Sequence, residues 1–432
     1  MPEAADRLIV LDVGAVAHGG YCVARHEGRV VFVRHALPGE RVRAAMTEER
    51  GTFCRADAVE VLVAAAGRVT PPCPHAGPGR CGGCDWQHAD APTQRELKAA
   101  VVREQFARIA GLDVSGLLGA VEPLPGDDGG HGDDGLLGWR TRITYALDRS
   151  GRPGLHRHRS REVEPLAACP LGAPGVGDSP ALARTWPGLT GIEAARGDDG
   201  ELSLLGHRPG PGRQARGRRP PDRTEVVDGP ARLHHRLGQR TFEVAAAGFW
   251  QVHPAAAATF AAAAVQAARP EPGETCLDLY AGAGALTASL ADAVGPTGRV
   301  IGVEASGQAV ADATANLADL PWAQVRRGRV DAALLAALGE RPDVIVLDPP
   351  RAGAGREVMT ALLALAPRVV VYVACDPASL ARDVAAATGL GWRLRGLRAF
   401  DAFPMTHHVE CVAHLEPDAP SVVAADGATP SP

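Results

Sequence analysis

From residue 241 onward the chain alternates strongly apolar runs with Ala-rich helical segments, and this alternation fixes most of what it can fold into. The runs are TCLDLY (275–280), RVIGVE (299–304), DVIVLD (343–348) and VVVYVAC (369–375), and the helical segments fall at 255–268, 285–294, 306–318, 356–366 and 378–387. Strands that take turns with helices predict a parallel, doubly wound α/β sheet. In such sheets ligands bind beyond the carboxyl ends of the strands. The residues closing the runs are therefore the candidates for chemistry: Asp278 with Tyr280, Glu304, Asp348 and Cys375.

The 432 residues leave room for more than that sheet. Residues 7–63 read as several short strands with Gly turns at Gly19-Gly20, Gly28 and Gly39, which predicts a small oligonucleotide-binding-type β-barrel or a β-rich cap. PTQRELKAAVVREQFARIA (92–110) carries Leu97, Val101, Val102, Phe106 and Ile109 at helical spacing, and RTRITYALD (140–148) reads as a strand. Between 172 and 240 the pattern is weak. Its Arg-rich stretch 207–223 reads as a disordered or hairpin insertion, solvated rather than gripping phosphates. The chain therefore divides into 1–66, 67–240, 241–415 and a compositionally disordered tail, 416–432.

Of the 45 basic residues only Lys98 is a lysine, a skew that points to a GC-rich genome rather than to function. The net charge of −5 announces no nucleic acid globally, so any RNA-binding surface must be local. The longest apolar stretches, Val369 to Ala374 and Ala255 to Val265, are too short to cross a bilayer. The acidic start MPEAADR is no secretory leader, and nine Cys without one imply reduced thiols, so a cytoplasmic protein is expected.

DLYAGAG (278–284) follows the first run and precedes a helix, with Gly282 and Gly284 allowing close approach of a ligand to the helix N-terminus. Thr287 stands where a dinucleotide fingerprint needs Gly, which makes NAD the poorer reading. Glu304, closing the next run, suits the ribose hydroxyls of S-adenosylmethionine as well as those of NAD. Asp348 opens DPPR (348–351), a stiff turn that leaves carbonyls and a carboxylate at the cleft. Cys375 ends its strand before Asp376-Pro377. Glu410 sits inside an apolar strand, VECVAHL, where burial raises a carboxyl's pKa and suits it to accept a proton. His407 and His408 stand where they could help order Glu410, but the favoured reading is of exposed strand-end histidines.

Taken in order, DLYAGAG, GVE, VLDPPR, VACDPASL and FPMTHHVE closely resemble the S-adenosylmethionine-dependent RNA uracil-5-methyltransferases. GFWQVHP (248–254) is similar to the family's Gln-containing motif, and the N-terminal barrel is similar to a TRAM domain. The resemblance implies a Rossmann-like class I methyltransferase domain, an OB-like β-barrel for RNA and an α+β central region. By the same resemblance Cys375 is the nucleophile, Glu410 is the base, and Gln251, Tyr280, Glu304 and Asp348 contact the cofactor. Ala285 and Arg329 depart from the residues expected in relatives, which implies that adenine recognition differs in detail. The expected partner is RNA, ribosomal rather than transfer RNA, met by a monomer away from membranes. A cytosine-5 methyltransferase is the nearest alternative, although it usually carries its Cys in a Pro-Cys turn where this chain has Ala374-Cys375. A non-catalytic iron–sulfur RNA-binding protein is the second.

Cys73, Cys81 and Cys84 form C-x7-C-x2-C, and Cys169 follows at a distance within CPL. Four thiolates so arranged fit zinc or an iron–sulfur cluster, and spacing does not choose between them. The resemblance implies a 4Fe–4S centre with three close Cys and one distant Cys, although the first gap here is about two residues longer than the family pattern. Cys22, Cys54, Cys276 and Cys411 read as core.

Overall fold

The computed structural model describes residues 8–127, 136–210 and 223–418. The start MPEAADR, most of the Gly-Asp loop at 126–138, the Arg-rich positions 211–222 and nearly all of the tail lie outside the described residues.

The apolar runs form an eight-stranded sheet. Its order is Ala323–Arg327, Arg299–Glu304, Thr275–Leu279, Val344–Leu347, Val369–Ala374, Glu410–Pro417, Trp392–Asp401 and Glu122–Pro123. The first five run parallel. Glu410–Pro417 enters antiparallel beside Val369–Ala374. Both faces are covered, as near-continuous apolar strands require. Leu277, Ile301, Ile345 and Val370 face one core with the helices Arg356–Leu363 and Pro377–Thr388. Cys276, Val300, Val344 and Val369 face the other, with Ala256–Ala268 and Ala285–Val294. Alternate residues of one strand thus serve opposite cores, the period of two inherent to a pleated chain.

The first half of the chain contributes to that core. The helix Ala91–Gln105, extended by a wide turn at Phe106–Ala110, packs Val102 and Phe106 against the same sheet, and Glu122–Pro123 adds its edge strand. Asp90 caps this helix at Thr93 N–H (2.9 Å), with Pro92 in the first turn where no amide partner is needed.

Ahead of it six strands between Leu8 and Val63 form one curled sheet around a separate core of Leu11, Cys22, Val31, Val42 and Cys54. A second all-antiparallel sheet of six strands runs from Arg142 to Asp228, followed by the hairpin Arg232–Leu237 with Arg240–Ala245. This is where the sequence pattern was weak. Leu202–Arg208 is buried at four consecutive residues, Ser203 to Gly206, because both its faces are covered, so no alternation marks it. Arg208 pairs antiparallel with Arg223, and the expectation for the Arg-rich stretch otherwise falls on positions outside the described residues.

Candidate active site

The cofactor crevice lies where the strand order reverses, between Thr275–Leu279 and its neighbours Arg299–Glu304 and Val344–Leu347. Tyr280 turns the chain there at φ +69°, a left-handed conformation that a Tyr adopts only when its surroundings enforce it. The N–H groups of Tyr280 and Ala281 both donate to the Val303 carbonyl (2.9 and 3.0 Å). Gly284 begins the next helix at φ +92°, and a Cβ there would press on Ala313 and Leu317 at 3.3 Å. Glu304 accepts Gly282 N–H at 3.0 Å and Ser306 N–H at 2.7 Å, one on each carboxylate oxygen. Each oxygen keeps a lone pair for a further donor such as a ribose hydroxyl. Asp278 is wholly buried, accepts the Thr287 hydroxyl (2.6 Å), and is pushed by burial up to about 7.

Asp348 closes the adjacent strand, its N–H donating to the Leu279 carbonyl (3.2 Å), so the DPPR turn is sewn to the first strand. Burial and the neighbouring Asp278 raise the Asp348 carboxyl to about 7. The next turn is anchored from below. Asp383 accepts from Tyr372 Oη (2.7 Å), Ala354 N–H (2.8 Å) and Gly355 N–H (3.1 Å). Arg351, held in that turn, donates to His408 Nε2 (3.2 Å).

Strand pairing brings the nucleophile and base candidates together. Ala374 faces Cys411 across the antiparallel ladder, so the next residues along, Cys375 and Glu410, are opposed where the ladder ends. Their electrostatics are coupled. Burial, then the charges of Glu410 and Asp348, push the Cys375 thiol up to about 12, while Arg351 pulls it down. Glu410 is 4% exposed, and burial followed by Asp348 raises its carboxyl well above the usual range, again against Arg351. Asp376 caps the following helix at Ser379 N–H (2.8 Å) and pairs with His18 of the N-terminal sheet (2.9 Å). Gln251, the remaining cofactor candidate, is half-buried between buried Trp250 and partly buried Val252, and its side chain has no hydrogen-bond partner among the described residues.

The four cysteines line one cavity of about 280 Å³ together with Ile143, Leu155, Leu166 and Leu171. Gln87 Nε2 donates to Cys84 Sγ (3.3 Å) and Gly83 N–H to Cys81 Sγ (3.4 Å), the pattern of donors that thiolates attract. Burial pushes Cys81 up to about 11 and raises Cys84 and Cys169, and each of the three is raised further by neighbouring cysteines. No three of these sulfurs lie mutually within 4.8 Å. Zn–S bonds of about 2.3 Å would set tetrahedral sulfurs roughly 3.8 Å apart. The four sulfurs thus stand farther apart than that tetrahedral spacing.

Sequence reasoning passed over several residues of this site. Arg351 stands in a quoted motif without having been singled out. His407 and His408 are not bland. His407 is bonded to Asp85 (2.6 Å), and His408 accepts from Arg351 and is lowered to about 3 by burial, His407 and Arg351. Phe249, beside Trp250, is 68% exposed, unusual for Phe and suited to stacking. His18 gave no signal, since its partner lies 358 residues away.

A Rossmann-like sheet, a DPPR turn and a strand-end Cys opposite a buried Glu make up the site, and comparison with known proteins places it among the S-adenosylmethionine-dependent methyltransferases. A model of the tRNA (uracil-5-)-methyltransferase family matches residues 340–417, and one of the TRAM domain matches residues 7–59. Residues 241–333 match a model of protein-L-isoaspartate(D-aspartate) O-methyltransferase. An RNA methyltransferase of Streptomyces avermitilis is 47% identical over 426 residues, covering 95% of this chain and 98% of that protein. The 23S rRNA (uracil(1939)-C(5))-methyltransferase RlmD of Shewanella sp. (strain ANA-3) is 31% identical, covering 92% and 93%. The Pyrococcus abyssi tRNA (uracil-54, C5)-methyltransferase, solved with S-adenosyl-L-homocysteine, shares the fold at a TM-score of 0.66, with 20% identity over 94% of this chain and all of that one. The chain belongs to the RNA uracil-5-methyltransferase family, enzymes that use S-adenosylmethionine. Its TRAM domain and these relatives make RNA the substrate class. Among the described residues no helix is long and apolar enough to cross a membrane.

Proposed function

We propose that the enzyme methylates C5 of a uridine in ribosomal RNA through a covalent adduct between Cys375 and C6, giving 5-methyluridine. The observation that carries this reading is the opposition of Cys375 and Glu410 at the end of one antiparallel ladder, beside Asp348 and Arg351. S-adenosylmethionine supplies a methyl group on a cationic sulfur; Gln251, Tyr280, Glu304 and Asp348 hold it.

Uracil C5 is a weak nucleophile. The Cys375 thiolate forms a bond to C6, and the C5–C6 π electrons move into an enolate. C5 then takes the methyl group and S-adenosylhomocysteine leaves. Glu410 removes the C5 proton, the electrons restore the C5–C6 double bond, and the Cys375 sulfur departs. Arg351 opposes the burial of both ionised groups. A base must leave its stack to meet Cys375, so a flipped or unpaired uridine is the substrate. RNA enters across the TRAM domain, residues 1–66, toward the catalytic part, 241–415.

We further infer that Cys73, Cys81, Cys84 and Cys169 hold a 4Fe–4S cluster with a structural role in the central region, 67–240. The cavity volume and the spread of the sulfurs support it.

The test is methyl-labelled S-adenosylmethionine with RNA from a strain lacking the gene, followed by digestion and mass spectrometry. Label in 5-methyluridine of ribosomal RNA, absent with Cys375→Ala, is expected. Label confined to transfer RNA overturns the substrate, and 5-methyluridine formed by Cys375→Ala overturns the adduct.

A further inference from the structure

The segment Phe403–Val409, which leads into Glu410, is not held by the catalytic sheet alone. Met405 adopts φ +68°, outside the usual range for a non-Gly residue. Such a turn persists only when its surroundings over-determine it. Here they do. Met405 N–H donates to Gln94 Oε1 (2.7 Å), and its carbonyl accepts both Asp85 N–H (3.0 Å) and Trp86 N–H (3.1 Å). Two residues on, the Asp85 carboxylate accepts His407 N–H (3.1 Å) and the His407 ring Nδ1–H (2.6 Å) through one oxygen. Its other oxygen takes Arg34 of the N-terminal barrel (3.3 Å), and Arg34 also donates to the Cys84 carbonyl (3.2 Å). His408, next in the chain, carries the bond to Arg351.

We propose that Asp85 is a positioning residue for the base: by clamping His407 it ties the Cys84 loop and the barrel to the segment that sets Glu410 and His408 in place. The proposal rests on the reading of Glu410 as the base that completes the reaction. Asp85 sits beside Cys84, touches neither the nucleophile nor the cofactor turns, and is 12% exposed. Its place at a junction of three parts of the fold is not needed for any one of them to form a core, since each has its own. It is needed for the approach to Glu410 to have one geometry. Releasing it frees a strained turn five residues before Glu410, and displacements on the order of 1 Å at a proton-transfer group slow a step by up to about 100-fold.

The step affected is elimination. With Glu410 displaced, C6 addition and methyl transfer still proceed, while removal of the C5 proton and departure of the Cys375 sulfur are slowed. The methylated adduct then accumulates. The experiment mixes uridine-containing substrate RNA and S-adenosylmethionine with wild-type enzyme and with Asp85→Ala, His407→Ala, the double variant and Glu410→Gln. Covalent RNA–protein complex is read by denaturing electrophoresis, turnover by label, and retention of the cluster by visible absorbance.

Asp85→Ala and His407→Ala are each expected to lower kcat on the order of tenfold. Both should raise the trapped fraction while changing KM for RNA less than about twofold, and the double variant should be no slower than either single one. If Asp85→Ala loses the cluster, His407→Ala, which leaves the cysteine loop intact, carries the test. Trapped adduct in Glu410→Gln but in neither clamp variant overturns the role of Asp85 and leaves the base reading standing. Additive losses in the double variant overturn it too. No trapped adduct in Glu410→Gln overturns the base reading and this inference together.

Discussion

Cys375 and Glu410 stand opposite each other one step past the last paired residues, Ala374 and Cys411, of two adjacent strands. Opposed residues of antiparallel strands hold their Cβ atoms roughly 5 Å apart. The proposed adduct needs C6 of a pyrimidine to meet the sulfur while the hydrogen on C5 meets a carboxylate. Glu410 opens one strand and Cys375 immediately follows the end of the other, before the helix that Asp376 caps. Cys375→Ser keeps the shape and replaces the thiol by a far weaker acid. It is expected to abolish turnover and the covalent complex while leaving S-adenosylmethionine binding, read by calorimetry, within about twofold.

Both members of the pair are held toward their neutral forms, and this sets the sign of the pH dependence. The Cys375 thiol lies near 12 and Glu410 is well above the usual carboxyl range. The thiolate and the carboxylate are the working forms, and both grow as pH rises. The expected kcat/KM therefore climbs from about pH 6 to about pH 9 with no acid-side optimum. Arg351→Gln removes the positive charge that opposes both shifts, so the profile moves to higher pH. Its rate at pH 7 falls roughly three- to tenfold for each unit the thiol moves, the greater nucleophilicity of a more basic sulfur making up part of the loss. An unshifted profile in that variant would show that Arg351 acts only by shape.

Strand ends were legible in the sequence because parallel strands with covered faces read as unbroken apolar runs, and their terminating residues stand out. Cys375, Glu304 and Asp348 were singled out in this way, and Glu410 as a lone carboxyl within an apolar run. Residues whose importance comes from distant partners were not. His407 looks like any surface histidine until Asp85, 322 residues away, is placed against it. Gln94 and Lys98 vanish beneath the apolar spacing of Leu97, Val101 and Val102, which accounts for the helix without them. The strands Gly191–Arg196 and Leu202–Arg208 escaped because their burial does not alternate cleanly.

Lys98 illustrates the energetic side of that omission. It is the one lysine of the chain, fully buried, and it pairs with Asp401, itself 1% exposed, while donating to the Phe403 carbonyl (3.0 Å). Burial lowers the Lys98 ammonium against the pull of Asp401. Lys98→Met leaves a buried carboxylate without its partner, a loss of about 3–5 kcal/mol. Adding Asp401→Leu should restore most of the stability. Denaturant melts at about pH 5 and pH 8 check both statements, and a variant as stable as wild type at pH 8 would contradict them.

The contact between His18 and Asp376 makes a weaker, pH-dependent seam between the TRAM domain and the helix that follows Cys375. The bond to Asp376 raises His18 above its ordinary value. Asp376, despite its burial, is brought down to about 2 by His18 and Ser379 and so is ionised throughout the working range. A histidine raised on folding stabilises fully below its unfolded value near 6.5 and loses that contribution as pH rises through its folded value. With His18 at 40% side-chain exposure, the pair contributes less than about 1 kcal/mol. His18→Ala should lower the melting temperature by a degree or two near pH 6 and not at all near pH 9. An equal loss at both values would assign the effect to packing.

The cysteine cavity gives the sharpest compositional test. The proposed cluster and a single zinc ion differ in metal content, and the four cysteines line one cavity of about 280 Å³. Protein purified without oxygen should carry about four iron atoms per chain, with visible absorbance that Cys84→Ser and Cys169→Ser both abolish. Gln87, which donates to Cys84 Sγ at 3.3 Å, should tune the cluster without holding it. Gln87→Leu is therefore expected to keep the iron and shift the reduction potential downward, since a hydrogen bond to the sulfur favours the more negative, reduced state. One zinc per chain and no visible band would exclude the cluster, and Cys73, Cys81, Cys84 and Cys169 would then have to close around a smaller ion.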